Sequence, residues 1–255
     1  MELLKTLEEV ENWLDVNNIK FYIINDDLSV DVEGNVLLSR ILSVAYLPIK
    51  FKNVSGDFDC SSIDLTTLVG CPESVGGGFD CGDNKLTSML GCPKLVGGNF
   101  YCYGNELNSL EGCPEIILGN FLCGKNRLKD LVGGPIKVVG IYSCYDNNLA
   151  KLGGGLQEVG NDFDCSDCEL VEFGGVFKVG GDFDCSNNRL VSLEGFPNVV
   201  GNFSCKNNDL KESELFLYDY DCAKIRQYYT SKNLNEKLKE SLSEESGIGI
   251  KKMKV

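Results

Sequence analysis

The chain is written on a fixed internal period, and that period constrains its architecture more than any other feature. An aromatic-x-Cys unit recurs at Phe58/Cys60, Phe79/Cys81, Phe100/Cys102, Phe121/Cys123, Tyr142/Cys144, Phe163/Cys165, Phe183/Cys185 and Phe203/Cys205, with cysteine spacings of 21, 21, 21, 21, 21, 20 and 20. Four residues before each aromatic stands a β-branched residue, from Val54 and Val75 through Ile117 to Val199, and five after each cysteine stands leucine, from Leu65 to Leu210. The position eight after the cysteine is apolar until it fails at Ser213, where the array ends. Aromatic-x-Cys alternation reads as a short strand with one buried face. Gly-rich runs such as Gly76 to Gly78 mark the bends between strands. A unit this small cannot bury its own apolar face, so successive units must stack, with parallel strands and one column of side chains per repeat position. Eight strands at about 4.8 Å spacing predict a sheet roughly 34 Å from first to last.

Three residues after each cysteine lie Ile63, Asn84, Asn105, Asn126, Asn147, Cys168, Asn188 and Asn208. This pattern resembles the leucine-rich repeat, whose core reads L-x-x-L-x-L-x-x-N/C-x-L. Phe100, Cys102, Asn105 and Leu107 stand at its second and third apolar positions, its Asn and its next Leu, and Cys168 matches the N/C alternative. The resemblance implies an Asn side chain bonding the backbone of the turn that leaves each strand, so that buried amides are satisfied repeat after repeat. The sequence departs from the family in carrying Val one residue early, with glycines after it, and in using Phe and Cys where Leu is usual. The resemblance covers residues 54–212, and the LxxLxGCP segments are similar to short bacterial and phage-encoded versions. If the phage likeness holds, it implies an inhibitor of a bacterial host or defence protein.

The ends read as caps. Leu3, Leu4, Leu7, Val10, Trp13 and Leu14 fall at helical spacing over residues 3–17, and FYIIN, LSVDV and NVLLS then alternate as strands. Val36, Leu38 and Ile41 sit 22 residues before Phe58, Cys60 and Ile63, as a degenerate first coil would. The stretch from Tyr218 to Leu242 has no Gly or Pro and reads as one or two helices, with GIGIKKMKV as a frayed tail. The expected fold is an α+β repeat protein: an N-terminal α+β cap over 1–53, an eight-repeat leucine-rich-repeat-like parallel β solenoid over 54–212, and a C-terminal helical cap with its tail over 213–255.

Composition removes whole function classes. There is no histidine, so no Ser-His-Asp or Cys-His triad and no imidazole metal ligand. A charge of −14, with 38 Asp plus Glu against 24 Lys plus Arg, opposes binding to phosphate backbones or anionic lipid. The acidity belongs to the repeats, since residues 55–210 hold 21 acidic and 10 basic side chains. The start MELLKTLEEVENW lacks the basic end and apolar run of a signal peptide, and no stretch approaches the roughly 20 apolar residues of a membrane span. A cytoplasmic protein is expected. No unique residues interrupt the repeats to place two carboxylates in a cleft, so an enzyme is not expected.

Of the 13 cysteines, eight occupy one core column and Cys71, Cys92 and Cys113 a second, in the GCP turns. They read as small buried hydrophobes, reduced and without cofactor or metal. Cys165 and Cys168 form a CxxC, but both belong to repeat columns, which argues for packing over zinc or redox chemistry. Asp57, Asp59, Asp80, Asp162, Asp164, Asp182 and Asp184 alternate with the core residues and are expected to face outward. Asp59 with Asp80, and Asp164 with Asp184, then stack as like charges that solvent, a basic partner or calcium would relieve. Midway along the same face Tyr101, Tyr103, Leu122 and Tyr145, with Lys125 and Arg127 nearby, have the anatomy of a binding patch bordered by aspartates. The expected function is protein recognition through the sheet face, with a partner carrying a basic rim, no nucleic acid or membrane, and at most weak self-association. A structural or assembly role, and a calcium or small-ligand module, are the alternatives.

Overall fold

The computed structural model describes residues 2–38, 43–175, 177–219 and 222–247. Ile41 and the tail after Gly247 lie outside them. The repeats wind into a parallel β solenoid. Its long sheet has nine strands in strict sequence order, from Val36–Leu37 to Phe203–Ser204. Every neighbour pairs in parallel, and from Phe58 onward aromatic stands on aromatic, as in Phe58 with Phe79 and Phe121 with Tyr142. The first of these strands pairs Val36 with Phe58, so the degenerate coil is a true member of the stack.

Each coil carries a second short strand that the sequence reading did not separate from the bend. It ends on the β-branched column, and these strands lie in two further five-stranded sheets, one that starts with the antiparallel pair Tyr22–Ile24 and Ser29–Val32 and reaches Leu95–Val96, and one running from Ile116–Ile117 to Asn198–Val199. The Gly-rich segment joins the two strands of a coil at a corner. There Asn99 and Asn120 each reach to the next coil, where Oδ1 accepts from the backbone N–H of Asn120 at 2.9 Å and of Ile141 at 2.8 Å. Asp57, Asp162 and Asp182 do the same for Gly78, Asp182 and Asn202. A β-carbon on Gly140 would occupy the space that the Asn120 side chain crosses, so glycine keeps this second ladder open. These three aspartates are therefore corner ligands of backbone rather than outward strand residues.

The core is a file of stacked columns. Phe58, Phe79, Phe100, Phe121, Tyr142, Phe163 and Phe183 are buried with successive ring centroids 5.0 to 6.0 Å apart, which is the spacing aromatic pairs favour. The eight strand cysteines lie buried beside them. Below each strand the Asn column stitches neighbouring coils. Asn126 Oδ1 accepts from Leu107 N at 3.0 Å, and Nδ2 donates to the carbonyls of Cys102 at 3.0 Å and Cys123 at 3.1 Å. Asn84, Asn105, Asn147, Asn188 and Asn208 repeat the arrangement. One amide thus satisfies groups that a helix-free coil would otherwise bury unpaired.

At the start, α1 (Leu7–Val16) buries Val10 and Leu14 and is closed by a capping box between Thr6 and Glu9. Trp13 meets Phe51 with centroids 6.3 Å apart. At the end, a 3-10 helix (Glu212–Asp219) leads to α2 (Cys222–Gly247). The α2 residues Cys222, Ile225 and Tyr229 are buried. The Tyr229 hydroxyl donates to Glu214 Oε2 at 2.6 Å and accepts from Leu193 N at 2.9 Å, while Lys232 Nζ lies 3.2 Å from Glu214 Oε1. Among the described residues no helix is long and apolar enough to cross a membrane.

Candidate functional site

The second residue of each long-sheet strand points away from the core, and register fixes these residues as a row: Leu37, Asp59, Asp80, Tyr101, Leu122, Ser143, Asp164, Asp184 and Ser204. The paired aspartates do face one another across single strand spacings. Each also closes a turn two residues on. Asp59 accepts from the backbone and hydroxyl of Ser61, Asp164 from those of Ser166, and Asp184 from those of Ser186. Asp80 accepts from Gly82 N at 2.8 Å. These carboxylates have structural work besides whatever they recognise. Burial raises the Asp80 carboxyl above the ordinary range, partly offset by the Gly82 amide and reinforced by Asp59.

The aromatic part of the face is half-buried, which the sequence reading did not foresee. The position after each cysteine alternates Gly82, Tyr103, Gly124, Tyr145, and each tyrosine lies back over the glycine of the preceding coil: a β-carbon at Gly124 would sit 2.5 Å from Tyr145 Cδ1. Tyr101 and Tyr103 meet with centroids 6.4 Å apart, and Lys125 Nζ stands 5.9 Å from the centre of the Tyr145 ring. Leu122 is likewise half-buried. Arg127 is exposed but bonds Glu106 of the coil before at 3.1 Å. It belongs to a column of alternating sign in which Lys85 pairs with Asp64 at 2.8 Å and Arg189 with Glu169 at 3.8 Å. The alternation was readable at the position four after each cysteine.

Toward the N-terminal end the row opens into a shallow cleft of about 260 Å³. Leu37, Asp59, Asp80 and Tyr101 line it. Two carboxylates beside an aromatic ring and an exposed leucine offer a cation both charge and an apolar stem contact. Where the two five-stranded sheets meet the chain carries exposed apolar residues that sequence reasoning missed: Leu90, Leu95, Ile116 and Leu118 are 73%, 69%, 52% and 58% exposed. Their signal lay in the position before the β-branched column, where Leu95 and Ile116 interrupt a row of polar residues.

The cysteines are packed, with different surroundings in the two columns. Burial pushes the strand thiols up, Cys205 to about 12. In the CxxC, Cys165 Sγ contacts the carbonyl of Asp184 one coil ahead and Cys168 Sγ that of Cys144 one coil behind. The two side chains therefore serve different interfaces. Among the described residues no cluster of three or more His, Cys, Asp or Glu could hold a metal ion.

No protein-family model, no curated protein and no solved structure matches the chain.

Proposed function

We propose that the chain is a non-enzymatic recognition scaffold of the leucine-rich-repeat type that binds a partner protein through its nine-stranded face. The observation that carries the reading is the cleft where Asp59 and Asp80 stand in register beside Tyr101. A partner's lysine or arginine entering there would relieve the like-charge contact while its stem packs on the ring, and the Asp164 and Asp184 end would steer the same basic rim. Binding to such a preformed lattice costs little ordering entropy. The Asn ladder supports the leucine-rich-repeat assignment, and the terminal elements act as caps on the solenoid. The chain works in the cytoplasm as a monomer or weakly self-associating species, and the phage-like repeat points to a bacterial host or defence protein as the partner, inhibited by occupation of its surface.

The test is affinity capture from lysate at low and moderate salt, followed by titration of the purified partner against wild type and a D59N/D80N/Y101A variant. A partner held by wild type and lost by the folded variant supports the reading. A partner held equally by both removes it.

The exposed Leu90, Leu95, Ile116 and Leu118 favour a second reading, an assembly component that buries this patch against another subunit. Concentration-dependent light scattering that disappears in L95S/I116S would select it.

A further inference from the structure

Cys92 and Cys113 belong, with Cys71, to a column of thiols apart from those of the strands. Both lie in GCP turns outside the strand ladders, where Cys92 N bonds Met89 O and Cys113 N bonds Leu110 O. Cys113 is partly exposed, whereas the other twelve cysteines are buried. Cys92 lines a groove of about 850 Å³ on the second-sheet side, together with Leu90, Leu95, Pro72 and Lys94. The Cys92 thiol reaches across the junction of adjacent coils to the residue that precedes Cys113.

Gly112 organises the junction. Its carbonyl receives the Cys92 thiol at 3.0 Å and the Lys94 ammonium at 2.9 Å, so thiol and cation meet on one oxygen beside Cys113. The turn requires φ of +104° at Gly112, a conformation glycine adopts freely. The Cys113 thiol, and then the Lys94 charge, favour the Cys92 thiolate against burial, and Cys92 is held below the ordinary thiol range while the strand thiols are pushed up. A neighbouring cation and a thiol in the adjoining turn set Cys92, itself buried, apart from the strand thiols.

We propose that Cys92 and Cys113 form an oxidation-responsive pair, a modification site that a hydroperoxide closes into a disulfide between neighbouring coils. The Cys92 sulfur attacks the terminal peroxide oxygen, the O–O bond breaks, and for hydrogen peroxide water leaves once the hydroxide takes a proton. The sulfenic acid formed on Cys92 is attacked by the Cys113 sulfur, the S–O bond breaks, and a second water leaves. Two thiols lose two electrons and the peroxide gains them. The closed pair would pin the two coils that present Leu95 and Ile116.

The test treats the folded full chain with one equivalent of hydrogen peroxide, alkylates the remaining thiols, and digests with trypsin and a glutamate-specific protease. Cys92 then lies in fragment 86–94 and Cys113 in fragment 112–115, apart from Cys71 and every strand cysteine. The expected result is a cross-link between those two fragments. In C113S the expected product is instead a dimedone-trapped sulfenic acid on Cys92, and in C92S neither product forms. Without oxidant, iodoacetamide should label Cys92 at least ~10-fold faster than any strand cysteine. A cross-link to Cys71 or a strand cysteine, equal labelling of all thiols, or no wild-type oxidation while free cysteine is consumed would each overturn the proposal.

Discussion

The phenol of Tyr103 lies against the backbone of Gly82 one coil earlier, so close that a β-carbon there would fall 2.8 Å from its Cζ. Gly82 has no need of a left-handed backbone, and its missing side chain is used as space. Gly82→Ala must therefore lift the ring off the face, at a cost of about 1 kcal/mol. Thermal unfolding should show the loss, and tetranitromethane should modify Tyr103 faster. In the background of Tyr103→Ala the same glycine substitution should cost much less, because the contact is already gone.

The Asn ladder should be the stiffest element. Asn126→Ala orphans the buried Leu107 N–H and takes one donor from each of three carbonyls that keep a second, and a loss of about 2 kcal/mol is expected. Asn208→Ala, at the half-buried end of the column, should cost less than half as much. Denaturant unfolding of the two variants orders them; equal losses would mean that burial does not set the ladder's strength.

Tyr142 and Cys168 break their columns, and restoring the consensus there should stabilise the chain. The Tyr142 hydroxyl is buried with no hydrogen-bond partner. Tyr142→Phe removes an under-satisfied group and should gain about 1 kcal/mol. Cys168→Asn should restore the donor to the Cys144 carbonyl that the thiol contacts weakly at 3.4 Å, with a gain of similar size, about 1 kcal/mol. Melting temperatures rising for both, and additively, are the expected result.

What was legible in the sequence was everything that recurs. The column of Phe, Cys, Asn and Leu dictates parallel stacking because any other register would place Asn126 and Phe121 on the wrong side of the coil. The pairing of Val36 with Phe58 was visible as a phase relation. What escaped was what depends on a neighbour one coil away. The reach of Asp57, Asp162 and Asp182 across glycine corners, the tyrosines resting on Gly82 and Gly124, and the thiol pair at Gly112 are contacts between columns, and a single repeat unit does not contain them. The capping box of Thr6 and Glu9 was readable as T-x-x-E and went unused.

Asp80 gives the chain a defined pH response. Its folded carboxyl is raised, first by burial and also by Asp59, so the folded state holds the proton more tightly than the unfolded one. Its contribution is most favourable below the unfolded value of about 3.9 and declines as pH rises through the folded value, leaving a cost at neutrality. Asp80→Asn keeps an acceptor for the Gly82 amide and should stabilise the chain by about 0.5 kcal/mol at pH 7. The gain should vanish in acid, as stability curves measured across pH would register.

Recognition through the nine-stranded face is the central claim, and its most direct measurement is the affinity of the captured, purified partner for wild type and for D59N/D80N/Y101A. With the variant's fold verified by circular dichroism, the account predicts at least ~10-fold weaker binding and a shallower dependence on salt, as expected when carboxylates and one aromatic anchor are removed. Unchanged affinity in the folded variant would contradict it.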